Sequence, residues 1–360
     1  MCAGGSGVLG PVDAVPPLDV AGPVADVIAL EPVDSVHITT LVDNVSDGLL
    51  ANQGPAHRVG LATPIAHAPT VAAAFTDGQT VVDPLRAEHG FSAYVTVVSG
   101  GRQRHVIFDT GLSPDGMAGN MRRLNLDPKD AEAVVLSHGH FDHTTGLDGF
   151  VRAVGRPNLP VIIHPEFWTR RRLALPGRDP FVLPSTSRSA MVDAGFEIIE
   201  DRRPSFLLGG SILITGEVDR TTPFEQGFAV HQAYRDDAWV PDPLILDDQA
   251  LVVEVRGKGL VVLTGCGHAG IVNIVRYAQR LTNVSKVHAI IGGFHLSGPL
   301  FDPIVDTTVE ALAGIGPDVI VPAHCTGLRA VRAVASRFPD AFIQNSVGTR
   351  FEFESSPAIA

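Results

Sequence analysis

"VVLSHGHFDHTTGLDGF", residues 134–150, runs from an apolar stretch straight into three histidines and an aspartate within positions 138–143. In an extended segment, side chains two positions apart share a face, so His138 and His140 point to one side. Asp142 and His143 follow after one spacer and address a second position beside the first. Neutral imidazole nitrogens suit zinc and similar borderline cations, and a carboxylate compensates charge. A polar loop with merely exposed histidines would not place so many costly side chains directly after a buried strand. The stretch therefore reads as a strand, "AEAVVLS" (131–137), that ends in a metal-binding loop.

Ligands this close in sequence cannot complete two metal shells, so more must come from elsewhere in the chain. Four apolar runs end at or near a histidine: VVLS before His138, VVLTGCG before His268, IIGGF before His295 and VIVPA before His324. Strand ends on one rim of a sandwich hold converging side chains on rigid supports. His324 in "VPAHCTG" is the first choice for a distant ligand and His268 in "TGCGHAG" the second. His295 in "GGFHLSG" is divided between a substrate contact or proton donor and a structural histidine. His164 in "IIHP" is expected to pack behind the site, with a substrate contact as the alternative. Asp109 in "FDTG" is expected to brace the metal loop by hydrogen bonds, as carboxylates behind metal ligands commonly do, rather than to bind metal. Cys266, two residues before His268, is either a small buried side chain or a ligand, since a cation readily holds a thiolate.

Outward from this core, "SVHITTLVDN" (35–44) reads as a first strand, and "FSAYVTVVS" with "RHVIFDTG" as a hairpin joined by Gly100 and Gly101. "LPVIIHP", "SILITGEV", "ALVVEVRGKGLVVLTGCGH", "VHAIIGGFH" and "DVIVPAH" add further strands. "GIVNIVRYAQRL" places Ile271, Ile274, Val275, Ala278 and Leu281 on one helical face. "GLRAVRAVASRF" does the same with Leu328, Val331, Val334, Ala335 and Phe338. The expected architecture is α/β: two sheets with helices on their outer faces. Residues 1–33, rich in Gly, Pro, Ala and Val without a period, are expected to form a flexible arm. Residues 34–360 are expected to form one domain with a long loop at 46–87.

Of the 360 residues, 45% are hydrophobic and 18% charged, which excludes wholesale disorder. A net charge of −12 argues against nucleic acid as a partner. No apolar run approaches the roughly 20 residues that cross a bilayer, and the opening residues lack a secretory pattern, so a cytoplasmic protein is expected. The cysteines, Cys2, Cys266 and Cys325, are too scattered for a disulfide framework. Against the acidic background, "FWTRRRLALPGR" (167–178) concentrates Arg170, Arg171, Arg172 and Arg178 just after a strand. It is either a solvated face or a lid, over 166–190, whose guanidinium groups grip an anionic substrate.

His138-x-His140-x-Asp142-His143 after a buried strand, with "FDTG" before it and isolated histidines after it, resembles the metallo-β-lactamase superfamily. The ordered set "LVDN", "EHGFS", "FDTG", "SHGHFDH", "HP", "GEV-R", "DDQALVV", "TGCGHAGIVN", "GGFHL" and "HCTG", from about residue 35 to the end, resembles its dihydropterin synthase-like branch of metal-dependent hydrolases. That branch takes its name from an enzyme that joins a pterin to a ribofuranosylaminobenzene phosphate. The resemblance implies an αββα sandwich and a dinuclear site, His138 and His140 holding the first metal and Asp142, His143 and His324 surrounding the second. This chain departs from the pattern where many members carry an aspartate that bridges the metals, because Cys266 stands there. Their third histidine for the first metal precedes that strand; here the candidate in the interval is His231, and His268 is expected to replace it.

The expected function is a hydrolase in which a metal-bound hydroxide attacks an ester, lactone or phosphoester of an anionic small molecule. Asp142 would orient the nucleophile and His295 would protonate the leaving group. Two zinc ions per chain are expected, with iron or manganese tolerated by the same donors. Two other classes compete: a transferase activating a pterin diphosphate for displacement, and a non-catalytic metal or ligand sensor. The oligomeric state is left open.

Overall fold

A computed structural model describes residues 27, 29–60, 64–66 and 68–356. Two sheets stack face to face. The first has eight strands in the order Glu197–Glu200, Pro160–Ile163, Ala131–Val135, Arg102–Phe108, Ser92–Ser99, Ser35–Val42, Arg350–Glu354 and Ala56–His57. The second has six, in the order Ser205–Leu207, Ile212–Ile214, Leu251–Val255, Gly259–Thr264, Val287–Gly293 and Val319–Ala323. Between them lies a core drawn from every second residue of each strand: Val36 and Ile38, Ala93, Val95 and Val97, Val106 and Phe108, Ala133 and Val135 face Leu251, Val253 and Val255, Val261 and Leu263, Ala289 and Ile291, Val319 and Val321. This is the period-2 consequence of the pleat.

The alternate residues on the outer faces are apolar too, because helices cover both. Outside the second sheet, Val252, Val262, Ile290 and Ile320 pack with the helices Ile271–Thr282, Val305–Ile315 and Leu328–Arg337. Outside the first, Ile107, Val134, Val161 and Ile163 pack with Gly116–Arg123, Leu147–Val154 and Arg188–Ala194. The layers are therefore α, β, β, α, and strands buried on both sides read as the near-continuous apolar runs of the sequence.

The parallel strands position the site. Ala131–Val135 runs parallel to both Arg102–Phe108 and Pro160–Ile163, and Val287–Gly293 runs parallel to both Gly259–Thr264 and Val319–Ala323. Their carboxyl ends therefore share one rim of each sheet, where crevices form in open α/β sheets.

Several local expectations need correction. Helix Leu328–Arg337 buries Ala330 and Val334, with Phe338 at its end, whereas Leu328 is 66% exposed. The apolar stripe is rotated because Ala330, small and fully enclosed, faces the sheet in place of Leu328. Within 46–87 the chain forms a short hairpin, Thr70–Ala72 with Thr80–Val82, and an edge strand, Ala56–His57, paired to Arg350–Glu354. Of the expected arm, residues 1–26 and 28 lie outside the described residues. Its last residues are packed: the Val33 amide donates to Glu254, and Leu30 and Val33 are both buried. No helix of the described residues is long and apolar enough to cross a membrane.

Candidate metal centre

The loop after Ala131–Val135 is held from behind by Asp109, at the end of the adjacent strand. One carboxylate oxygen accepts the Ser137 amide at 2.7 Å; the other accepts the Ser137 hydroxyl at 2.8 Å and meets Nδ1 of His143 at 2.7 Å. Both oxygens are thus engaged as braces, and Asp109 fixes the His143 ring so that Nε2 faces the cleft. From the other side, the Gly139 amide donates to Asp247 at 2.8 Å.

The histidines converge from both sheets. Nε2 of His138 lies 2.9 Å from Nδ1 of His140, and that nitrogen lies 3.2 Å from Nε2 of His268. Beside this triad, Asp142, His143, Cys266 and His324 bring their donor atoms within 4.8 Å of one another. Cys266 Sγ lies 3.2 Å from Nε2 of His143 and also groups with His138 and His268. His324 is presented by a backbone twisted to φ 46°, which two groups near the first strand secure. Asp43 accepts the His324 amide at 2.7 Å, and Asn44 donates to its carbonyl at 2.8 Å. The "LVDN" stretch thus supports a candidate ligand 280 residues away. The Arg of "GEV-R", Arg220, similarly donates to the His268 carbonyl at 2.9 Å.

Electrostatics match this arrangement. Burial, with neighbouring imidazoles and Arg171, pushes His138 and His140 well below the ordinary histidine range, and burial beside His295 does the same to His268. These rings are neutral and offer lone pairs. Burial pushes the Asp142 carboxyl up, but His143, His324 and His140 outweigh it and keep it anionic. Burial pulls His143 down, yet Asp142 and Asp109 raise it to about 9. Burial pushes the Cys266 thiol up, so a thiolate there needs a cation beside it.

These residues fit metal ions. A tetrahedral cation with metal–nitrogen bonds of about 2.0–2.1 Å spaces its donors roughly 3.3 Å apart, close to the separations in the His138, His140 and His268 triad. Buried imidazole atoms also stand without hydrogen-bond partners among the described residues. Both ring nitrogens of His324 do, Nε2 lying 3.3 Å from the Asp142 carboxylate.

The remaining expected site residues fall as follows. His295, at φ 45°, lies with its ring 4.0 Å from that of His268, its Nδ1 buried and unpartnered among the described residues. His164 is enclosed: Nδ1 accepts the Glu166 amide at 3.1 Å and Nε2 meets Glu217 at 3.3 Å, contacts that support the fold. Arg171, read as part of either a solvated face or an anion-gripping lid, is neither: it is 2% exposed and ion-paired to Asp242 and Asp247. The reason is strand alternation. Arg171–Leu173 pairs with His231–Arg235, so Arg171 turns inward while its neighbours turn outward, Arg170 stacking over Tyr234 at 4.9 Å and Arg172 over Trp239 at 4.5 Å.

Two site residues carried weak signals. His231 supplies no metal-facing atom; its Nε2 meets Nε2 of His140 at 2.9 Å while Nδ1 meets the Asp242 carbonyl at 3.2 Å, orienting the His140 ring. His89 reaches within 3.8 Å of the Asp142 carboxylate and lies on the cleft's open side. Its position in "EHGFS" was the available clue.

Comparison with known proteins agrees with this geometry. The family described as "Metallo-beta-lactamase superfamily" matches residues 90–281. The chain belongs to the metallo-β-lactamase superfamily. Among curated proteins, 7,8-dihydropterin-6-methyl-4-(beta-D-ribofuranosyl)-aminobenzene-5'-phosphate synthase of Methanocaldococcus jannaschii is 30% identical over 276 residues, covering 75% of this chain and 92% of that protein. An uncharacterised protein of the same organism is 30% identical over 246 residues, covering 68% and 86% respectively. Among solved structures, Tm1679, a metal-dependent hydrolase of the β-lactamase superfamily, superposes with a TM-score of 0.64 at 25% identity, covering 89% of this chain and 100% of that one. These relatives place the chain in the dihydropterin synthase-like branch of the superfamily.

Proposed function

We propose that this metallo-β-lactamase-superfamily protein is a metal-dependent hydrolase of an ester, lactone or phosphoester of an anionic small molecule. The observation that carries the reading is the pair of facing donor sets, His138, His140 and His268 on one side and Asp142, His143 and His324 on the other. Two cations held there, zinc by donor chemistry, would activate water near neutral pH and polarise a carbonyl or phosphoryl oxygen. Asp142, kept anionic by its histidine neighbours, orients the attacking water. His295, at the rim against His268, protonates the leaving group. Arg170, exposed just before strand Arg171–Leu173, is the group offered to the anionic part of the substrate.

A second reading, transfer of the pterin group from a pterin diphosphate to an aryl ribose phosphate with release of pyrophosphate, is favoured by the name of the Methanocaldococcus relative. The deciding assay presents the purified protein with phosphoesters, a lactone and neutral esters, and separately with a pterin diphosphate plus an aryl ribose phosphate. Hydrolysis abolished by chelation, restored by zinc and lowered about 10²-fold or more in Asp142→Asn supports the hydrolase. No hydrolysis of any ester, with pyrophosphate release from the pterin, overturns it.

A further inference from the structure

The Cys266 sulfur belongs to both donor sets. It groups within 4.8 Å with Asp142, His143 and His324, and separately with His138 and His268. We infer that Cys266 is a thiolate bridge between the two metal positions, an inference that rests on the metal-centre reading but not on which reaction the centre performs.

Three observations support the sulfur over any carboxylate. First, the neighbouring acids are committed elsewhere. Asp109 is spent on Ser137 and His143, and Asp247 on Arg171 and the Gly139 amide. Asp248 gives one oxygen to the Ala269 amide and joins none of the donor groups among the described residues. Second, a shared anion relieves the repulsion between two cations. Two divalent cations a few ångströms apart repel strongly, and the histidines are neutral donors, leaving Asp142 as the other anion in the set.

Third, the backbone is built to press the sulfur into place. Cys266 follows strand Gly259–Thr264, and the intervening Gly265 packs so closely that a β-carbon there would lie 2.1 Å from the Ser137 hydroxyl and 2.5 Å from the Asp109 carboxylate. Gly293, on the neighbouring strand, would place one 3.0 Å from the Cys266 α-carbon. Only a chain bare of side chains at these positions lets the cysteine backbone reach the brace behind the metal loop. Cys325 does not share this position: its Sγ donates to the Cys266 carbonyl at 3.2 Å, and it groups with Cys266 and His295 but with none of the loop ligands among the described residues. Metal binding at Cys266 displaces the thiol proton to solvent, with no change in oxidation state.

The test uses the whole protein loaded with cobalt(II) or zinc, and reads the metal–sulfur bond. With two cobalt ions bound, the wild type and Cys325→Ser are expected to show a near-ultraviolet sulfur-to-cobalt charge-transfer band, and Cys266→Ser to lose it. Cys266→Asp, which restores a bridging anion, is expected to keep two metals without the band. X-ray absorption of the zinc-loaded wild type, which needs no variant, is expected to show about one sulfur per zinc at about 2.3 Å; a terminal cysteine would give half that. Two bound metals with no sulfur, half a sulfur per zinc, or a band lost in Cys325→Ser and kept in Cys266→Ser would overturn the bridge while leaving the metal centre standing. Failure to bind any metal would overturn both.

Discussion

Replacing Arg171 with methionine tests whether this arginine is a structural ion rather than a substrate grip. The guanidinium donates from Nε to Asp242 at 3.0 Å and from Nη1 to Asp247 at 3.0 Å, with a further contact to the second oxygen of Asp247. Methionine fills most of the volume but leaves Asp247, which is wholly buried, and Asp242, which is 9% exposed, without their counter-ion. Asp247 keeps the Gly139 amide and Asp242 keeps Arg235 at 3.9 Å, so neither is entirely abandoned. Removing one partner of a buried ion pair costs about 3–5 kcal/mol, and the middle of that range, about 4, applies here. An unfolding entropy of about 2.1 cal/mol/K per residue makes this a fall in Tm of roughly 5 °C for a chain of this length.

Scanning calorimetry of wild type, Arg171→Met and the triple variant Arg171→Met/Asp242→Asn/Asp247→Asn measures it. The single variant is expected to lose about 4 kcal/mol and the triple variant to recover most of the loss, because its carboxylates are no longer charged. Since Asp247 also anchors the Gly139 amide between two metal-facing histidines, weaker metal retention should accompany the loss. A stability change under about 1 kcal/mol, together with a raised KM confined to phosphorylated substrates, would refute the structural assignment.

Two further outcomes follow from the geometry. Gly265→Ala puts a methyl group against Ser137 and Asp109; about 1–3 kcal/mol of overpacking and loss of one of two metals by elemental analysis are expected, whereas unchanged metal content would contradict the brace. Away from the site, burial raises the Asp83 carboxyl, but Arg123, Arg122 and Arg86 outweigh it and hold it below the ordinary range. A depressed carboxylate stabilises the fold above its unfolded pKa of about 3.9 and loses that contribution as pH falls through the folded value. Denaturant midpoints of Asp83→Asn should therefore lie below those of the wild type at pH 7, with the gap narrowing below about pH 4; a gap independent of pH would contradict it.

Much of the candidate metal site was legible in the sequence because its parts are local. A buried strand followed by His-x-His-x-Asp-His is a period-2 run meeting a ligand spacing, and both are properties of a few adjacent residues. The same holds for the strands that deliver His268, His295 and His324, whose apolar runs announce burial on both faces. The stripe of the last helix was misjudged at Leu328 because a helical period leaves its phase free by a residue or two, and the opposing sheet selected Ala330 for the interior.

What the sequence by itself determined was a set of candidate ligands at strand ends and a layered α/β fold, since periodicity and spacing are written along the chain. Only the tertiary structure decided that Arg171 turns inward between two aspartates while Arg170 and Arg172 turn outward, that His231 backs His140, and that the Cys266 sulfur stands between both donor sets. Those are pairings between segments far apart in sequence. Strand pairing and sheet stacking fix them together, so no single segment carries their signal.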